Sequence, residues 1–236
     1  MATKRKLTLS KSAYIRSLQC LKSLYLYKNY YTEKDIPSAE LLCRFRQGIS
    51  FGKQAWQLFP DGIDVAPKSN FTNAITRAAQ KVETLLVENQ SVTLYEASFC
   101  FQSILTILDI LVKKNNSLFA YEVKSSIAIT PTYLHDAAFQ YYVMTQAGRE
   151  PQKFYLVHLK EHATLDNVSL DDFCISDITS EVKERQLFVT ENIKKALIAM
   201  EDDNLLSLSK GEQCTMPYLC DFLGFCTKQN QTENHV

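Results

Sequence analysis

The sequence predicts a mixed α/β protein whose core runs helix, strand, strand, strand, helix, strand, and three observations predict it. Phe71, Ile75, Ala78, Val82, Leu85 and Leu86 recur at helical steps, after which the apolar period shortens from 3.6 towards two. Three apolar runs follow, separated only by the turns Gln102-Ser103 and Lys114-Asn115-Asn116, the pattern of an antiparallel meander. A helical stretch then leads to Lys153-Phe-Tyr-Leu-Val-His-Leu-Lys160, and returning to a sheet through a helix calls for a parallel, right-handed crossover.

Taken in chain order, residues 10–26 carry Tyr14, Ile15, Leu18, Leu21, Leu24 and Tyr25 at three- and four-residue steps and read as one helix containing Cys20, with Ser10 or Ser12 as its cap. A second helix covers 39–59, where Gly48, Gly52 and Ala55 admit a close neighbour and Pro60-Asp61-Gly62 ends it. Both precede any strand signal. The first core helix spans 71–89, the strands 92–101, 104–113 and 118–125, the crossover helix 132–147 with Gly148 closing it, and the fourth strand 153–160. Val182, Gln186, Val189, Ile193, Leu197 and Met200 outline a long helix, followed by a cysteine-rich segment, 214–226, and a polar stretch. Residues 1–226 read as one domain with its core at about 71–160, and 227–236 as a disordered tail.

Composition narrows the function classes. The 236 residues carry 26 Lys+Arg and 26 Asp+Glu, so the chain lacks the global basic charge of many nucleic-acid binders, and any phosphate binding must be local. Six glycines and six prolines argue against a low-complexity protein. The longest apolar stretch, 103–112, is interrupted by Asp109 and falls short of the roughly 20 residues of a membrane span, so no membrane association is expected. No apolar core of a secretory signal follows the basic start, and a cytoplasmic, reducing compartment is the expectation. Seven cysteines there point to metal or cluster ligation rather than to disulfides.

On the third core strand, Glu122 and Lys124 lie two apart and face the same way. Alone, such a pair is commonly a solvated charged face. Asp109, however, stands in an otherwise apolar run on the preceding strand, where an isolated carboxylate is costly unless it is paired or binds metal. Across a short turn, Asp109 and Glu122 come within reach of sharing Mg²⁺ or Mn²⁺, hard ions that prefer oxygen ligands, with Lys124 beside the ion. A phosphodiester hydrolase requires such a set: the ion polarises a phosphoryl oxygen and acidifies water, and the lysine positions the nucleophile or offsets charge. Glu96, on the first strand, either binds metal, orients water or pairs with Lys124.

These residues resemble the PD-(D/E)XK nuclease superfamily, whose restriction-endonuclease-like core is αβββαβ and whose motif is an Asp on the second strand and Glu/Asp-x-Lys on the third. Here it stands as Leu108-Asp109-Ile110 and Glu122-Val123-Lys124, without the Pro that often precedes the Asp. The resemblance implies Asp109 and Glu122 as metal ligands, the Val123 carbonyl as a third, and Lys124 as the catalytic lysine. Gln140, in Phe139-Gln140-Tyr141-Tyr142, is similar to the glutamine of the RecB-like branch, which often carries Gln-x-x-x-Tyr; Met144 stands where that tyrosine belongs. Tyr141 and Tyr142 are either its substitute or part of a buried helix face.

Cys214, Cys220 and Cys226 recur every six residues in a segment too small for a core of its own, so ligation explains them better than packing, and Cys20 is the best fourth ligand. Cys43, Cys100 and Cys174 are then small buried apolar residues. Four thiolates hold either a [4Fe–4S] cluster or Zn²⁺, and spacing does not choose. One cysteine near the N-terminus and three near the C-terminus resemble the iron–sulfur RecB-like nucleases, which include the CRISPR-adaptation nucleases, the AddB-type recombination nuclease domain and an uncharacterised bacterial family. Leu9-Ser10-Lys11-Ser12, Cys20-Leu-Lys-Ser-Leu-Tyr-Leu, Gly48-x3-Gly52-x2-Ala55-x2-Leu58-Phe59-Pro60 and Met216-Pro217-Tyr218-x-Cys220-x-Phe222-x3-Cys226 most resemble that last family. Many RecB-like enzymes place a metal-binding His in the N-terminal helices, where this chain has Ile49; His135 and His158 are isolated and read as structural.

The resemblance implies a Mg²⁺- or Mn²⁺-dependent deoxyribonuclease, acting as an exonuclease on single strands or ends, with a structural [4Fe–4S] cluster tying the chain's two ends. Lys4, Arg5, Lys6, Lys11, Arg44, Arg46 and Lys53 are candidate phosphate contacts. The rival reading is a nuclease-like DNA-binding accessory subunit, with protein partners in recombination, repair, defence or CRISPR adaptation.

Overall fold

A computed structural model of the chain describes residues 8–165 and 168–233, so Lys4, Arg5 and Lys6 lie outside the described residues. In chain order the elements are β1 (Leu9–Ser10), α1 (Lys11–Gln19), α2 (Leu21–Asn29), α3 (Ala39–Ala55), β2 (Ile63–Asp64), α4 (Thr72–Glu88), β3 (Ser91–Phe101), β4 (Ile104–Lys114), β5 (Ser117–Val123), α5 (Pro131–Gln146), β6 (Lys153–Leu159), β7 (Phe173–Asp177), α6 (Thr179–Glu184), α7 (Gln186–Ala199) and α8 (Leu223–Glu233). The run from α4 to β6 is the expected αβββαβ restriction-endonuclease-like core. Its sheet is mixed: β3, β4 and β5 form an antiparallel meander, and β6 lies parallel to β5 with α5 as the crossover. The neighbours run β2-β3-β4-β5-β6-β7, and β1 pairs with β4.

Two faces of the sheet are covered unequally. On one, Val82 and Leu86 of α4, Phe139 and Met144 of α5, and Val189 and Ile193 of α7 join Leu94, Leu108, Ala120 and Leu156 in the main core, with Tyr14 of α1 stacked on Phe139 at 4.6 Å. On the other, Phe51 and Ala55 at the end of α3 cover Ile110, Val123 and Val157. Burial of side chains this size contributes about 1.5–3 kcal/mol each, so the two cores decide which face each strand residue takes.

Several expectations are corrected. The helix at 10–26 is two helices, because Cys20 is extended (φ −160°, ψ 117°), with its N–H bonded to Arg16 O and its Sγ accepting from Ser23 N at 3.4 Å. Ser10, not Ser12, caps α1, accepting from Ala13 N. The long C-terminal helix divides at Arg185 into α6 and α7. Strands β1, β2 and β7 carry no usable period, the first two being two residues long, and β1 alone contradicts the view that the helices at 10–26 and 39–59 precede any strand. The polar stretch from Thr227 continues α8 to Glu233, beyond which the tail lies outside the described residues. Cys43 is exposed on α3, and Cys100 and Cys174 are half-buried, so none of the three is the buried apolar residue expected. Among the described residues, no helix is long and apolar enough to cross a membrane.

Candidate active site and cysteine pocket

The site begins where the strand ladders stop. Strands β4 and β5 pair from Lys114↔Ser117 to Ile110↔Tyr121, and the next rung, Asp109 with Glu122, is not made. Instead the Asp109 carboxylate reaches across and its Oδ2 accepts the Val123 N–H at 2.6 Å. Strands β3 and β4 skip the same level: Tyr95↔Ile110 and Ala97↔Leu108 pair, while Glu96 opposite Asp109 adopts a left-handed backbone, φ 57°. The in-out alternation shifts there, so that Leu94 and Ala97 both face the main core. A left-handed, non-glycine residue inside a strand is strained, and such strain gathers at functional sites.

Around this gap the structure brings Asp109, Glu122, Lys124 and Gln140 together and adds Lys11 and Asp136. Glu122 is 1% exposed; its Oε1 accepts from Lys11 Nζ at 2.7 Å and Lys124 Nζ at 2.6 Å, and its Oε2 from Gln140 Nε2 at 2.6 Å. Lys124 also donates to Asp136 Oδ2 at 2.5 Å. Lys11 comes from the first turn of α1, and Asp136 and Gln140 from one face of α5, a turn apart. Tyr141 points away, its hydroxyl bonded to Glu150, and Tyr142 packs against the main core, so neither tyrosine substitutes at the site. Ile49 is exposed, and His158 is held by Leu159 O and Ser176 Oγ at 2.9 Å each, as a structural residue.

The electrostatics are those of a cluster with more carboxyls than ammonium groups. Burial first, then Glu122, pushes the Asp109 carboxyl above its ordinary range, against Lys11 and Lys124. Burial also raises Asp136 and Glu96. For Glu122 burial again opposes ionisation, but the two lysines outweigh it and hold the carboxyl below the carboxylate range. Burial favours neutral lysine, yet Asp136 and Glu122 overcome it, pushing Lys11 up to about 12 and Lys124 well above its ordinary value. Of the four carboxyls around the gap, burial thus favours the neutral form of Asp109, Asp136 and Glu96, and Glu122 carries the charge that Lys11 and Lys124 share. Asp136 Oδ1 and Gln140 Oε1 are buried acceptors without a hydrogen-bond partner. Among the described residues, the four cysteines included, no three His, Cys, Asp or Glu side chains stand in metal-holding geometry.

The second constellation is remote from the first. Cys20, Cys214, Cys220 and Cys226 line one small pocket together with the buried Leu26 and Phe222. All four are free thiols; burial raises Cys20 and Cys226, and neighbouring thiols add to it in both. The two chain ends are also tied without it: Arg16 forks onto Asp221, Lys34 Nζ lies 2.9 Å from Asp221 Oδ2, and Gln19 Nε2 donates to Gln213 O and Tyr218 O at 2.9 and 2.6 Å.

Neither a protein-family model nor a curated protein matches the chain. Among solved structures it is similar to SSO0001, at 12% identity and TM-score 0.43 over 95% of this chain and 88% of that one. It is also similar to a candidate exonuclease from Eubacterium rectale, at 12% identity and TM-score 0.45 over 90% and 94%. A third is the alkaline exonuclease of Laribacter hongkongensis, at 11% and 0.35 over 82% and 90%.

Sequence reasoning placed Lys11 only among general phosphate contacts and missed Asp136. A signal for Asp136 exists: an acid four residues before Gln140 on an otherwise apolar helix face. Lys11 has none, since it reaches Glu122 across 111 positions.

Proposed function

We propose that the chain is a metal-dependent nuclease that hydrolyses phosphodiester bonds in DNA. The observation that carries the reading is the gap between β4 and β5, where Asp109, Glu122 and Lys124 converge. A divalent ion there would favour the charged form of the buried Asp109 carboxyl, and carboxylate and carbonyl oxygens are the donors Mg²⁺ and Mn²⁺ prefer. Asp109, Glu122 and the Val123 carbonyl would hold it; when bound, it supplies phosphoryl polarisation and a more acidic water.

The chain's own residues do the rest. Lys124, kept cationic by Glu122 and Asp136, stabilises negative charge that builds on the phosphate as water attacks phosphorus and the ester P–O bond breaks. Gln140 fixes the second oxygen of Glu122, so that the carboxylate presents one orientation. Glu96, set by its left-handed backbone, orients water. Single strands or ends suit the surroundings: α3 leaves Phe45 and Ile49 exposed beside Arg44, Arg46 and Lys53, a surface on which bases stack and phosphates pair. The four cysteines hold a [4Fe–4S] cluster, with Zn²⁺ as the alternative, in a structural role remote from hydrolysis.

The test is digestion of 5′- and 3′-labelled single-stranded DNA by anaerobically purified protein in Mn²⁺, alongside Asp109→Ala. Wild-type cleavage that the variant loses is expected. Cleavage by both proteins alike, or by neither with the cysteine centre loaded, would sink the proposal.

A further inference from the structure

The structure assigns Lys11 a role beyond its position: we infer that it is a gate on the divalent-metal site and, once displaced, a ligand of the substrate's phosphate. The inference rests on the nuclease reading and deepens it. Lys11 Nζ and Lys124 Nζ share the same oxygen of Glu122, at 2.7 and 2.6 Å, so that neither leaves a free lone pair pointing into the gap. If this oxygen of Glu122 is to bind a cation, one ammonium must withdraw.

The geometry decides which. Lys124 has a second strong anchor, Asp136 Oδ2 at 2.5 Å, whereas Lys11 stands 3.7 Å from Asp136 Oδ1, outside hydrogen-bond range. Lys124 directly follows the strand that carries Glu122; Lys11 belongs to another element and its side chain is 26% exposed against 19% for Lys124. A lysine's four-carbon stem lets its charge swing by several ångströms without backbone movement. Lys11 therefore withdraws towards the open side of the gap, where a nucleic-acid phosphate would lie, and Lys124 stays. One side chain thereby holds the empty site's charge in check and later binds the substrate, so metal loading and phosphate binding favour each other.

The experiment compares full-length, anaerobically purified wild type, Lys11→Met and Lys11→Arg, each first shown to be folded by circular dichroism. Mn²⁺ binding is measured without DNA by electron paramagnetic resonance, and cleavage on labelled single-stranded DNA. Removing a competing cation should tighten Mn²⁺ binding about tenfold in Lys11→Met, the value of one charge-assisted hydrogen bond. The same variant should raise KM for DNA at least about tenfold, and Lys11→Arg should restore much of both. Unchanged or weaker Mn²⁺ binding in Lys11→Met, or an unchanged KM, would overturn the inference. If wild type bound Mn²⁺ but cleaved nothing, the nuclease reading would fall, while tighter binding in Lys11→Met would still uphold the gate. A wild type that bound no Mn²⁺ would overturn both.

Discussion

Asp109 and Glu122 are both carboxylates in one gap, yet they differ in what they contribute to the fold. Glu122 neutralises two buried ammonium groups, so Glu122→Gln leaves Lys11 and Lys124 facing each other; we expect a loss of about 3 kcal/mol in urea unfolding, as for a broken buried ion pair. Asp109 accepts one backbone N–H, which an amide oxygen accepts equally well, and its charge is opposed by burial and by Glu122. Asp109→Asn is therefore expected to keep or raise the melting temperature in EDTA while abolishing cleavage. Glu96 adds a strained backbone. Glycine adopts φ 57° without cost, so Glu96→Gly should gain up to about 1 kcal/mol of stability and lose activity. A variant less stable than wild type would show that the Glu96 side chain holds the strands together.

Among the elements, the strands of the meander and the crossover helix follow their own apolar patterns, whereas β7 and the start of α6 depend on polar contacts. Asp177 ends β7, pairs with Lys153 at 2.8 Å, and accepts the Thr179 N–H at 3.0 Å, starting α6. The Lys153 and Thr179 hydrogen bonds lower its carboxyl to about 2. A carboxyl lowered on folding stabilises the protein above the unfolded-state value, near 4, and loses that contribution as pH falls towards 2. Asp177→Ala should therefore destabilise by less than about 1 kcal/mol at pH 7, since the pair is largely exposed, and the difference from wild type should shrink between pH 4 and 2. Melting curves across that range check it; a difference that grew on acidification would be the wrong sign. The helix at 10–26 shows how a pattern conceals a break. Tyr14 and Leu24 bury in the same core, so the period continues through Cys20 although the helix does not.

Across the chain, the N-terminal helices meet the C-terminal segment through Arg16, Lys34, Asp221 and the cysteine pocket. Cys220→Ser should lose the visible absorbance of a cluster yet keep the segment docked, because the Asp221 ion pairs remain. Combining it with Asp221→Ala should release 209–233 to limited proteolysis. Release by Cys220→Ser alone would make the cysteine centre the principal tie.

The αβββαβ order, the meander turns, the crossover and the pairing of Glu122 with Lys124 were legible in the sequence, because each depends on neighbours within about 15 positions and on a period of two or 3.6. Asp109 was legible for a related reason, since a polar residue inside an apolar element needs a partner, whereas Gln140 was singled out only by its resemblance to the RecB-like glutamine. The skipped rung at Glu96 and Asp109, Lys11 on Glu122, Asp136 on Lys124 and Arg16 on Asp221 were not. Lys11 on Glu122 and Arg16 on Asp221 join residues 111 and 205 positions apart, while the Glu96 and Asp109 rung and the Asp136 contact, although near in sequence, depend on how far two strands splay and where a helix docks. Local period and polarity are properties of the chain read in order; the charge balance of the gap arises only when the sheet, α1 and α5 are packed against one another.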